Sequence, residues 1–114
     1  MVQKLSLALF DVDGTLRNAG RWNRGTIELL STLHEHGVKI ALCSGRTTTA
    51  LTNVVADLPY VDHVASSSGA TVLTRRGDDW EVAAHRPVPR EAVERALETA
   101  EELGVEVWAF TERE

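Results

Sequence analysis

Hydrophobic positions follow two alternating patterns along this chain. Leu5 to Phe10 is nearly continuously apolar, as expected for a strand covered on both faces. From about Arg24 to His36 the apolar residues Ile27, Leu30 and Leu33 recur at helical spacing, and Gly37 supplies a C-terminal stop. Val38 to Cys43 predicts a second strand. Thr47 to Leu58 predicts a helix with Ala50, Leu51, Val54, Val55 and Leu58 on one stripe, closed by Pro59. A third, weaker strand is expected around His63 to Ala65. This alternation is the pattern of βαβ units feeding a parallel sheet.

The second half reads differently. Ala70 to Thr74 and Trp80 to Ala84 are short extended segments joined by Arg75-Arg76-Gly77-Asp78-Asp79, a hairpin signal. Pro87 and Pro89 separate this block from a last helix, which begins near Pro89 with Glu91 and Glu94 in its early turns. Its apolar face predicts burial of Val93, Ala96, Leu97, Ala100 and Leu103, and Gly104 ends it. Val105 to Phe110 reads as a final strand. No internal repeat or low-complexity tract interrupts this order.

Composition narrows the function classes. With 114 residues, the chain is one domain or part of one, and 43% hydrophobic with 25% charged residues is ordinary globular usage. A net charge of −5 argues against nucleic-acid binding, which needs clustered Lys and Arg. Lys4 and Lys39 are the two lysines. No apolar run approaches the roughly 18 residues of a membrane span and no leader pattern opens the chain, so no membrane partner and a cytoplasmic location are expected. Cys43 is the single cysteine, which excludes an internal disulfide, and its apolar run predicts a buried strand residue. His34, His36, His63 and His85 lack metal-ligand spacing. His34 and His36 point to different sides of a predicted helix, as solvated surface residues do.

Candidate chemistry sits where the first strand ends, in Phe10-Asp11-Val12-Asp13-Gly14-Thr15-Leu16. Reactive groups of an open parallel sheet gather at the carboxyl ends of its strands, so Asp11 and Asp13 are expected to project toward a common crevice. Gly14 permits the sharp turn just beyond them. A carboxylate can attack phosphorus when a divalent cation neutralises the phosphoryl oxygens, and a second acid can protonate the leaving oxygen and then activate water. Asp11 suits the first role and Asp13 the second. An acidic turn capping the next segment is the competing account of a bare Asp-x-Asp.

The second strand ends in Cys43-Ser44-Gly45-Arg46, directly before a predicted helix. A hydroxyl, a glycine and the free N–H groups of a helix start make a phosphate cradle. Ser44 taken alone reads equally as a plain N-cap. Two phosphate-suited turns after two consecutive parallel strands would share one rim.

These residues resemble a known family. Asp11-Val12-Asp13-Gly14-Thr15-Leu16 is similar to the first motif of the haloacid-dehalogenase superfamily, and Ser44 to its second-motif Ser/Thr. Ser68-Gly69-Ala70 resembles the Asn-Gly-Ala turn of the Cof-type, sugar-phosphatase-like branch (subfamily IIB) with a late-inserted α/β cap, with Ser68 in place of the Asn. The resemblance implies an α/β fold with a Rossmann-like parallel three-layer α/β/α core, here incomplete and followed by a β-hairpin and the start of an α+β cap. Residues 1–86 would be the N-terminal part of that core with its linker hairpin, and 87–114 the first helix and strand of the cap.

By the same resemblance Asp11 is nucleophile and magnesium ligand, and Asp13 is the acid–base that also offers its backbone carbonyl to the metal. Ser44 would hydrogen-bond the phosphoryl group, while Gly14, Gly45 and Arg46 would shape the substrate-binding pocket. The implied cofactor is Mg2+, and the implied substrate is a small phosphorylated metabolite, sugar-phosphate-like, hydrolysed through an aspartyl-phosphate.

Two elements of the family pattern have no counterpart, a lysine at the strand tips and a downstream acidic pair completing the metal site. Lys4 and Lys39 lie at the wrong strand ends, and Gly77-Asp78-Asp79 falls in the expected hairpin tip, where acidic glycine turns are ordinary loop chemistry. Weak or absent turnover by this chain alone is therefore expected, and a non-catalytic binding or assembly module is the alternative. In the superfamily sheet the first strand is central. In this chain it would become an apolar edge, which predicts a homo-oligomer or a completing partner chain.

Overall fold

The computed structural model describes residues 4–58 and 60–111. In chain order these form β1 (Leu7–Asp11), a small ribbon of β2 (Arg17–Asn18) and β3 (Arg21–Trp22), α1 (Thr26–Glu35) and β4 (Lys39–Cys43). Next come α2 (Thr48–Val54), β5 (His63–Ser66), a tight turn at Ser67–Gly69, β6 (Thr71–Arg76), β7 (Asp79–His85) and α3 (Arg90–Leu103). The main sheet has the order β1-β4-β5-β6-β7. β1, β4 and β5 are parallel, and β6 and β7 add antiparallel strands. The result is a mixed α/β sheet whose parallel part is Rossmann-like. β6 of the hairpin pairs directly with β5, so the hairpin extends the sheet.

Side-chain alternation explains where the core lies. Phe10, Leu42, Val64 and Leu73 are neighbours across the register of β1, β4, β5 and β6. Together with Ile40 they pack against Leu30 of α1 and Leu51 of α2, both fully buried, in a cluster that Val12, Leu16, Val55, Leu58 and Val61 complete. Gly37 at φ 75° ends the α1 segment and returns the chain to the sheet. Thr47 caps α2, its hydroxyl accepting from the Ala50 N–H at 3.4 Å.

The opposite face of β1 is open. Leu7 is 52% and Leu9 64% exposed, so the continuous apolar run of this strand is covered on one face among the described residues. Cys43 is half-buried rather than buried.

Several expectations change at the second helix and beyond. Regular helix ends at Val54, and Val55 to Asp57 continue as turns; the Pro59 stop lies outside the described residues. In α3 only Ala100 of the five predicted core positions is buried, Val93 is half-buried, and Leu97 and Leu103 are 46% and 70% exposed. The helix has its apolar face, yet no described layer lies beneath it. Val105 to Phe110 forms no strand and pairs with none of the described strands. None of the described helices is long and apolar enough to cross a membrane.

Candidate active site

The three parallel strands end level with one another. Asp11, the last residue of β1, pairs with Cys43, the last of β4, and Cys43 pairs with Ala65 of β5. The loops beginning at Val12, Ser44 and Ser67 therefore leave the sheet side by side, about 4.8 Å apart at the strand ends.

The first loop is wound around one carbonyl. The Val12 C=O accepts the N–H groups of Thr15, Leu16 and Arg17 at 3.2, 2.9 and 3.0 Å, and Gly14 takes φ 81°, which favours glycine. Val12 is fully buried while Asp11 and Asp13 on either side are exposed, so the apolar residue pins the loop and both carboxylates face solvent. Oδ2 of Asp11 accepts from the Thr15 hydroxyl at 3.0 Å.

Asp13 reaches the second loop instead. Nε of Arg46 donates to Oδ2 of Asp13 at 2.7 Å and Nη2 to Oδ1 at 2.8 Å, a bidentate pair. These bonds hold the Asp13 carboxyl below its ordinary range, against an opposing effect of burial and with lesser help from the charges of Arg46 and Arg17. The same hydrogen bond raises Arg46.

Ser44 is buried, and its Oγ accepts the Arg46 N–H at 3.1 Å. Its backbone N–H donates to the Ala65 carbonyl at 3.0 Å, and its own carbonyl accepts from the Ser68 N–H at 2.9 Å. The Ser67 N–H donates to the Arg46 carbonyl at 2.7 Å, so the second and third loops are laced together. Ser67 and Ser68 both take positive φ, 49° and 56°, before Gly69 at 96°. Non-glycine residues in that region store strain and occur preferentially at functional turns. A Cβ on Gly45 would lie 3.6 Å from the Ser68 Oγ, an ordinary contact, so crowding does not demand that glycine.

The structure brings Asp11, Asp13, Gly14, Ser44, Gly45 and Arg46 to one rim. Two features escaped the sequence pattern: the link from Thr15 to Asp11, and the attachment of Arg46 to Asp13. A hydroxyl four residues after an acid was a readable signal for the first; a contact between residues 33 apart left none.

Lys39 sits at the opposite end of the sheet, 3.6 Å from Asp62. The Gly77-Asp78 pair forms the tip of the β6–β7 hairpin, with Asp79 opposite Arg76. Among the described residues no group of three or more His, Cys, Asp and Glu is placed to hold a metal.

A family model described as haloacid dehalogenase-like hydrolase matches residues 8–114. Among solved structures, a hypothetical protein from Geobacillus kaustophilus is 29% identical, with a TM-score of 0.69, over 89% of this chain and 38% of that one. A phosphatase of the haloalkanoate superfamily from Bacteroides thetaiotaomicron is 26% identical, with a TM-score of 0.74, over 88% and 36%. A subclass IIB sugar phosphatase is 28% identical, with a TM-score of 0.74, over 89% and 38%. The chain thus spans less than two-fifths of each of these proteins. No curated protein sequence matches.

Proposed function

Because the chain belongs to the haloacid dehalogenase-like hydrolase family, we propose that its rim is the phosphoryl-handling half of a magnesium-dependent phosphatase site. The observation that carries this reading is the register of Asp11 with Cys43, which sets the two-acid loop beside the Ser44 loop. The likeness to a subclass IIB sugar phosphatase supports a small, sugar-phosphate-like substrate.

In this reading an oxygen of Asp11 attacks phosphorus and the bond from phosphorus to the substrate oxygen breaks. Asp13, having taken up a proton on one oxygen while the other keeps its bond to Arg46, gives that proton to the leaving oxygen, so the product departs as an alcohol. Asp13, again a carboxylate, then takes a proton from water, whose oxygen attacks the aspartyl-phosphate. The bond between Asp11 and phosphorus breaks, releasing inorganic phosphate and the free carboxylate. Ser44 and the loop N–H groups orient the phosphoryl oxygens.

The described donors fit magnesium in kind, being hard oxygens. The Asp11 carboxylate, with Oδ2 engaged by Thr15, and the Asp13 backbone carbonyl would hold it. Bound there, the ion would neutralise phosphoryl charge. Two protein oxygens are few for an octahedral ion, and turnover by this chain alone is expected to be slow.

Hydrolysis of an aryl phosphate, with and without magnesium, tests the proposal in the chain and in Asp11→Asn. A magnesium-dependent rate that Asp11→Asn removes is the expected result. Equal background rates in both, together with magnesium-dependent phosphate binding, would make this a binding module; neither rate nor binding would end the reading.

A further inference from the structure

We infer that Arg46 is the positioning residue for Asp13 and does not itself grip the phosphoryl group. This rests on the role given to Asp13 above and adds how that carboxylate is aimed. A guanidinium presents its donors in a rigid plane, and the edge formed by Nε and Nη2 is fully committed to the two Asp13 oxygens at 2.7 and 2.8 Å. Two parallel bonds fix the carboxylate plane as well as its place. An exposed aspartate on a loop would otherwise move among three χ1 wells. Among the described residues Arg46 is the hydrogen-bonding partner of this carboxylate.

Arg46 can serve this purpose because its own backbone is held on both sides. Its N–H donates to the Ser44 Oγ at 3.1 Å and its carbonyl accepts from the Ser67 N–H at 2.7 Å. The residue is thus tied to the second and third strand tips before its side chain reaches across to the first. Asp11 is held from within its own loop by Thr15, so the two acids have separate partners and are kept to separate tasks.

The test is the side-chain rotamer of Asp13, read by NMR from three-bond couplings to Cγ in the labelled chain. One χ1 well is expected in the unaltered protein. Averaging over wells is expected in Arg46→Gln, and also in Arg46→Lys, which keeps the charge but cannot make the paired bonds, with the remaining amide spectrum unchanged. A rotamer already averaged in the unaltered chain, or still fixed in folded Arg46→Lys, overturns the inference.

A second arm titrates inorganic phosphate with magnesium into Arg46→Gln, Asp13→Asn and the double variant. If Arg46 acts through Asp13, its substitution changes phosphate affinity little, and not at all once Asp13 is Asn. A loss of roughly tenfold or more in both backgrounds, the size of a direct charged contact, would make Arg46 a phosphate ligand and overturn the inference. Absence of phosphate binding in the unaltered chain would instead count against the phosphatase reading, while the rotamer still decides the role of Arg46.

Discussion

The Thr15 hydroxyl donates to Oδ2 of Asp11 at 3.0 Å, spanning the turn at Gly14. The bond holds one carboxylate oxygen toward the loop and leaves the other oxygen to face solvent. Thr15→Val keeps the shape and removes the donor. Thermal stability should shift by less than about 0.5 kcal/mol, because both groups are exposed. Magnesium-dependent phosphate affinity, measured by titration, should fall roughly two- to tenfold, the worth of one hydrogen bond.

Arg75 carries a larger structural role than its place on β6 suggests. Its Nε donates to the Val61 carbonyl at 2.7 Å and Nη2 to those of Leu58 and Val55 at 2.9 and 3.4 Å, while the guanidinium stacks 4.5 Å from the Trp80 ring. It ties together the segment after α2, where the Val55 and Leu58 carbonyls also accept the backbone N–H groups of Leu58 and Val61. Arg75→Met would retain the stem and remove those charged hydrogen bonds, and should lower unfolding free energy by about 2 kcal/mol in urea denaturation. Arg76→Met on the neighbouring, exposed position, paired with Glu81, should change it by less than about 0.5 kcal/mol.

What the sequence revealed follows physical range. Strands and helices with a strong local period were legible, including the Gly37 and Gly104 stops, because each depends on residues within a few positions. The rim was legible at Asp11 to Thr15 and Ser44 to Arg46 because both loops follow parallel strands. Pairing was not. That β6 joins the sheet antiparallel to β5 depends on the turn at Ser67–Gly69, whose positive φ values at two serines no local rule announces. The α3 face was overread for the converse reason: an amphipathic stripe at Val93, Leu97 and Leu103 records what a helix is able to bury, and burial itself requires a second surface.

The pair of Asp13 and Arg46 gives a pH signature. Asp13 is lowered in the folded chain from its ordinary 3.8, chiefly by the Arg46 hydrogen bonds. A carboxyl lowered on folding stabilises the protein above the unfolded value and loses that contribution as pH falls through the folded one. The stability gap between the chain and Asp13→Asn should therefore be constant near neutrality and close as pH drops below about 3.8. Urea melts across the acid range measure this. With the pair about half-exposed, the gap should also shrink in high salt.

The edge strand yields the last prediction. β1 has β4 on one side and no described strand on the other, and its open face carries Leu7 and Leu9 at 52% and 64% exposure. A strand with free N–H and C=O groups and exposed leucines is a template for a second strand, and we propose that in this chain two copies supply it. Light scattering at micromolar concentration should then give a mass that rises with concentration. Leu9→Lys should return the monomer without unfolding it, since alternation keeps residue 9 on the open face while Phe10 stays in the core. A constant monomeric mass in the unaltered chain would show that β1 is protected in another way, and a Leu9→Lys chain that still associates would move the contact to the exposed face of α3.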